Sequence, residues 1–97
     1  MVVHIVMFQF KEENKKPNII QAKQMLENLM GAVPSLRSMD VGVNFSAEDR
    51  AMDLSIIASF ESKEGLDAYA VHPEHLKVID FIKTAVEYSK VVDYERI

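Results

Sequence analysis

The run from Val2 to Phe10 is apolar on both of its parities, and few folds can accommodate such a segment. One parity carries Val3, Ile5 and Met7; the other carries His4, Val6, Phe8 and Phe10. Alternate side chains of a strand point to opposite faces, so this segment needs cover on both sides. A fully buried side chain of this size gains roughly 1.5–3 kcal/mol over the same group left in water.

The remaining periodicities set the cover and the order. Pro17 is expected to open a helix with Ile19, Ala22 or Lys23, Leu26, Leu29 or Met30, and Val33 on its inner stripe, ended by Gly31 and Pro34. Met39, Val41 and Val43 alternate with Ser38, Asp40 and Gly42, which reads as a strand polar on one side. A loop follows from Asn44 to Arg50, and Leu54, Ile56, Ala58 and Phe60 then form the inward parity of a third strand. Ser62 is an N-cap for a short helix through Tyr69. Pro73 starts a second helical piece, with Leu76, Ile79, Ile82 or Lys83, and Val86 expected on its buried side. Lys90 to Glu95 supplies a last strand. The order β-α-β-β-α-β predicts one α+β domain over residues 1–97, a ferredoxin-like protomer with an antiparallel sheet and its helices on one face.

That architecture leaves one sheet face bare. The parity of His4, Val6, Phe8 and Phe10 is assigned to this bare face, where exposure would create an apolar patch larger than monomers usually carry. A second copy related by a two-fold axis is its natural cover. The expectation is therefore a homodimer whose sheets face each other as an α+β barrel.

Composition excludes several function classes. Eleven Lys and Arg against fifteen Asp and Glu give a net charge of −4, with no basic block to attract a phosphate backbone, so no nucleic-acid partner is expected. No stretch reaches the ~20 apolar residues of a membrane span, and the opening strand lacks the basic start and small-residue cleavage site of a leader. The absence of cysteine removes thiolate chemistry and disulfides, and suits a reducing cytoplasm. His72 and His75 stand three apart, but Pro73 between them breaks the helical ligand geometry; no metal and no cofactor are expected.

Two of the three histidines fall within Tyr69-Ala-Val-His72-Pro73-Glu-His75. Together with His4-Ile-Val-Met-Phe-Gln-Phe-Lys11, Gly42-Val-Asn44-Phe-Ser46-Ala-Glu48, Phe60-Glu-Ser62 and Val92-Asp93-Tyr94-Glu95, this stretch makes the chain resemble the stress-responsive dimeric α/β-barrel (Dabb) family over nearly its whole length. The resemblance implies a ferredoxin-like protomer and a barrel-forming dimer, without fixing an activity. One plant member of that family is a polyketide cyclase performing an aldol-type ring closure, and the resemblance carries its functional positions onto Tyr69, His75 and His4.

These residue types suit such chemistry. A neutral imidazole can take a proton from carbon flanked by carbonyls, and a phenol can donate to the oxyanion that forms. His75 is then the base, Tyr69 the donor, and His4 a third group reaching the same cavity. Structural duty competes at each position. His72 precedes Pro73 and fits an N-cap; His75 could bond backbone in a first helical turn; Tyr69 could be a core aromatic with one hydroxyl partner. The leading functional expectation is a stress-response protein binding a hydrophobic metabolite in a small apolar pocket. The alternatives are a cyclase or lyase using Tyr69 and His75 and, by analogy of fold alone, a cofactor-poor monooxygenase.

Overall fold

A computed structural model describes all of residues 1–97. The elements are β1 (Val2–Phe10), α1 (Lys15–Glu27), β2 (Ser38–Val43), β3 (Leu54–Phe60), α2 (Lys63–Val71), α3 (Pro73–Ala85) and β4 (Val86–Glu95). The four strands form one sheet in the order β2-β3-β1-β4, and every neighbouring pair is antiparallel. This is the ferredoxin-like arrangement that the periodicities predict. No helix is long and apolar enough to cross a membrane.

The helices cover the face that the expectation left bare. In register, Val2 pairs with Phe60, His4 with Ala58, Val6 with Ile56 and Phe8 with Leu54. Directly paired residues share a sheet face, so the even parity of β1 lies on the inward face of β3. Val6, Phe8 and Phe10 accordingly sit in one buried cluster with Ala22, Leu26, Val78 and Ile82 of the helices. The assignment of this parity to a barrel interior is corrected. Both parities of β1 are apolar, so only the pairing to β3, whose polar Ser55 and Ser59 mark its outer face, decides between them.

The opposite face carries the other row. Ile5, Met7, Ile57, Tyr88, Val92 and Tyr94 stand on it, and all but the half-buried Ile5 are exposed. Thus an apolar sheet face does lie open, built by a different set of residues from the one expected.

Helix boundaries also differ in informative ways. α1 begins at Lys15, which places Pro17 within its first turn, where a missing N–H costs nothing. It ends at Glu27, and Leu29 and Val33 reach the core from the turns that follow. In α3 the buried residues are Val78, Ile82 and Ala85, while Leu76 is exposed. His75 shares their helical stripe at i, i+3, i+7 and i+10, so it takes the inward place expected for Leu76. β4 follows α3 directly, four residues before the expected Lys90, and Val86 belongs to it rather than to the helix.

Asp53 closes the end of β1 remote from His4. Its carboxylate accepts from the Phe10 N–H at 2.8 Å, its own N–H donates to Phe8 O at 2.9 Å, and Lys15 Nζ lies 3.4 Å away. The shift of register between Gln9 and Phe10 against β4 falls at the same place.

Replacing Phe8 by Ala should remove about 3–5 kcal/mol from the unfolding free energy in urea, the usual cost for a buried Phe. The loss should be the same at every protein concentration; a loss that grows on dilution would place Phe8 at a contact between subunits instead.

Candidate functional site

Two caps in succession bring Tyr69 and His75 together. Ser62 Oγ accepts from the Gly65 N–H at 3.1 Å and starts α2. His72, as expected, then ends one helix and begins the next. Its N–H donates to Tyr69 O at 3.1 Å, and its Nδ1 accepts from the Glu74 N–H at 3.1 Å. Pro73 at the first position of α3 prevents the two helices from merging. The chain turns at His72, and the inward side chains on either side of that turn meet.

Tyr69 is the centre of the group. It is 1% exposed, and its ring packs against Phe60 with centroids 5.1 Å apart. The His75 ring lies against it at 4.2 Å with the planes 36° apart, and the His4 ring approaches edge-on at 6.2 Å and 65°. The structure therefore brings together all three residues singled out in the sequence. They meet on the helix-covered face, which is why His4 had to lie on that face too.

Each ring nitrogen has a readable assignment. His75 Nδ1 is 3.1 Å from Ala70 O, and a carbonyl can only accept, so Nδ1 carries the proton and the Nε2 lone pair stays free. Burial is the main cause holding the His75 pKa below the usual 6.5, joined by the nearby His4 and His72 and opposed by the Ala70 bond. Burial also pushes the Tyr69 hydroxyl up to about 12. At neutral pH the pair is thus a neutral imidazole beside an un-ionised phenol. The Tyr69 hydroxyl is buried without a hydrogen-bond partner, a condition that normally costs free energy.

A fourth residue joins them that sequence reasoning did not single out. Asp93 faces His4 across the β1–β4 pairing, and its Oδ1 takes the hydrogen bond from His4 Nδ1. A carboxylate at Nδ1 orients an imidazole and leaves Nε2 as its reactive nitrogen. In the sequence Asp93 stood only as a member of the Val92-Asp93-Tyr94-Glu95 motif; its partnership with His4 lies in the register, which a sequence does not display. His72 is spent on its cap, and no three His, Cys, Asp or Glu side chains converge as a metal centre would require.

Two hollows adjoin the sheet. A cleft of about 480 Å³ between α2 and the end of β4 is lined by Val2, Leu66, Tyr94 and four charged residues, among them Asp93, the partner of His4. His4, Tyr69 and His75 do not line it. A second hollow of about 300 Å³ lies at the other end of β1, beside Met7, Val43, Met52 and the fully exposed Phe45.

Known proteins share this fold. Among curated relatives, a stress-response A/B barrel domain-containing protein of Arabidopsis thaliana is 24% identical over 94 residues, 94% of this chain and 82% of the relative. Olivetolic acid cyclase of Cannabis sativa is 23% identical over 95 residues, 96% of this chain and 94% of the enzyme. Among solved structures, a dimeric protein of unknown function and ferredoxin-like fold from Bacteroides fragilis superposes with a TM-score of 0.89 at 26% identity, covering 98% of this chain and 95% of its own. The family model described as the stress responsive A/B barrel domain matches residues 2–96, and the chain belongs to that family.

Proposed function

We propose that this chain works as a homodimer in which each protomer binds a small hydrophobic metabolite beside His4, Tyr69, His75 and Asp93. Pairing is supported by the open face. Met7, Ile57, Tyr88, Val92 and Tyr94 are exposed there in a single subunit, and a second sheet would withdraw them from water. The Bacteroides fragilis relative in fold is described as dimeric, in keeping with this reading. The lack of cysteine fits a reducing cytoplasm as its place of work.

A proton-transfer activity of the cyclase or lyase kind is the second reading, and one observation favours it. A neutral His75, its Nδ1 committed to Ala70, stacks on a tyrosine whose buried hydroxyl has no partner. His75 Nε2 then removes a proton from carbon next to a carbonyl, and the Tyr69 hydroxyl donates to the oxygen that gains charge. Asp93 holds His4 in one orientation and tautomer, so His4 can accept or return a proton through Nε2. The similarity to olivetolic acid cyclase runs along almost the full chain and supports a reading of the cyclase kind.

Native mass spectrometry of the purified protein should reveal a copurifying apolar molecule that His75→Ala releases. With a turned-over substrate in hand, His75→Ala should lower kcat by about 10²–10⁴-fold. The variant should sediment like the wild type; loss of assembly would make His75 architectural. Ile57→Asp should give a folded single subunit on sedimentation, and an unchanged sedimentation coefficient would remove the sheet-to-sheet pairing.

The His75 environment also sets a pH dependence. Its pKa is lowered in the folded chain, so the unfolded chain takes up the proton first as pH falls below 6.5. Stability should be full above that pH, decline on acidification towards the folded-state value, and level off below it. His75→Gln should flatten this part of the urea-unfolding profile. Turnover by a His75 base should likewise persist to lower pH than a free imidazole would permit.

A further inference from the structure

The open sheet face is divided into two unlike halves. On β2 and β3 it carries Ser38, Asp40, Gly42, Ser55 and Ser59, with Ile57 as the one large apolar group. On β1 and β4 it carries Ile5, Met7, Tyr88, Val92 and Tyr94. β2 and β4 are the edges of the sheet, so small residues lie towards one edge and bulky ones towards the other. At one end, the row Gly42, Ser55 and Met7 borders the hollow of about 300 Å³ beside Phe45. A Cβ placed on Gly42 would meet only the Ser55 hydroxyl, at 3.6 Å, so this corner of the face is open.

Charge is divided in the same way. The strands place two charged side chains on this face, Asp40 at the β2 edge and Lys90 at the β4 edge. Both are exposed, and neither takes part in an ion pair within the subunit.

Aligned sheets pack about 10 Å apart, and a two-fold axis between them runs either along the strands or across them. An axis across the strands sets β2 over β2 and β4 over β4. Small residues then meet small ones, bulk meets bulk, and Asp40 meets its own copy. An axis along the strands exchanges the edges, setting β2 over β4 and β3 over β1. Each bulky half then covers the small-residue half of the other subunit, and the anionic edge lies over the cationic one.

Resting on the face-to-face pairing proposed above, we infer that the two-fold axis of the dimer runs along the strands. Such a rotation keeps height along the strand and reverses the order across the sheet. The row Asp40, Ile57, Ile5, Val92 thus crosses its own copy in reverse, with Asp40 over Val92 of the partner subunit. Lys90 of the partner subunit stands one row away, over Gly42, and Tyr88 of the partner subunit enters the hollow beyond it.

The chain contains no cysteine, so introduced thiols report only their own contacts. Asp40→Cys and Val92→Cys subunits, coexpressed and treated with a short bis-maleimide, should give cross-linked dimers of mixed composition. Either variant alone should give far less. Gly42→Phe should leave the circular dichroism of the subunit unchanged and raise the dimer Kd by about tenfold or more, as overpacking implies. Asp40→Lys should weaken the dimer, and Lys90→Glu in the same chain should restore it.

Cross-linking of Asp40→Cys or Val92→Cys to its own copy as readily as in the mixture would overturn this axis. A mixture that gives no cross-link, or a dimer indifferent to Gly42→Phe, would do the same. An assembly unchanged by Ile57→Asp would remove the pairing itself; the axis fails separately, within a dimer that Ile57→Asp still splits.

Discussion

The alternation along β1, clamped on both sides, is the constraint on which the rest of this molecule depends. β3 and β4 each pair with it over most of its length, and Phe10 and Phe60 on the shared inner face are fully buried. A slip of one residue would turn every side chain over, trading Val6 and Phe8 for Ile5 and Met7 beneath the helices. It would also carry His4 to the far side of the sheet, away from Tyr69 and His75. Fold and site are therefore secured by the same hydrogen-bonded register. The packing of Tyr69 on Phe60 extends that dependence to α2.

Around the site, burial acts on two groups with opposite charging behaviour and leaves both neutral. A buried imidazole is harder to protonate and a buried phenol harder to ionise. His75 and Tyr69 consequently lie ring against ring as a neutral imidazole and a neutral phenol, without the electrostatic cost of a charge held out of water. His4 is treated differently, being partly exposed and hydrogen-bonded to a carboxylate on the next strand. The site thus sets one buried phenol between two partly buried imidazoles. Pro73 and the His72 cap fix Tyr69 and His75, because the bend between α2 and α3 sets the phase of both helices.

Local signals in the sequence carried much of this. Ser62 and His72 were legible as caps because a cap needs only a side-chain acceptor and an amide two or three residues on. The inward row of β3 was legible because Ser55 and Ser59 interrupt its other side. β1 lacked that contrast, so its two faces were exchanged in the reading, although His4 was correctly grouped with Val6 and Phe8. Leu76 looked like the inner residue of α3 by hydropathy, yet the helix phase gives that place to His75. Asp93 stayed hidden for a different reason. Its role exists only through a pairing between the first and last strands, and charge near a chain terminus ordinarily means solvation.

Strand β4 has a neighbour on one side alone, and apart from half-buried Val86 all of its residues are exposed. An unpaired edge of ten residues carrying Tyr88, Val91, Val92 and Tyr94 is a ready template for strand addition by other chains. Glu87, Lys90, Asp93 and Glu95 are spaced along it, and charge repeated at such intervals opposes the stacking of like edges. Erasing those charges would leave this edge open to strand addition by other chains, even with every core contact intact.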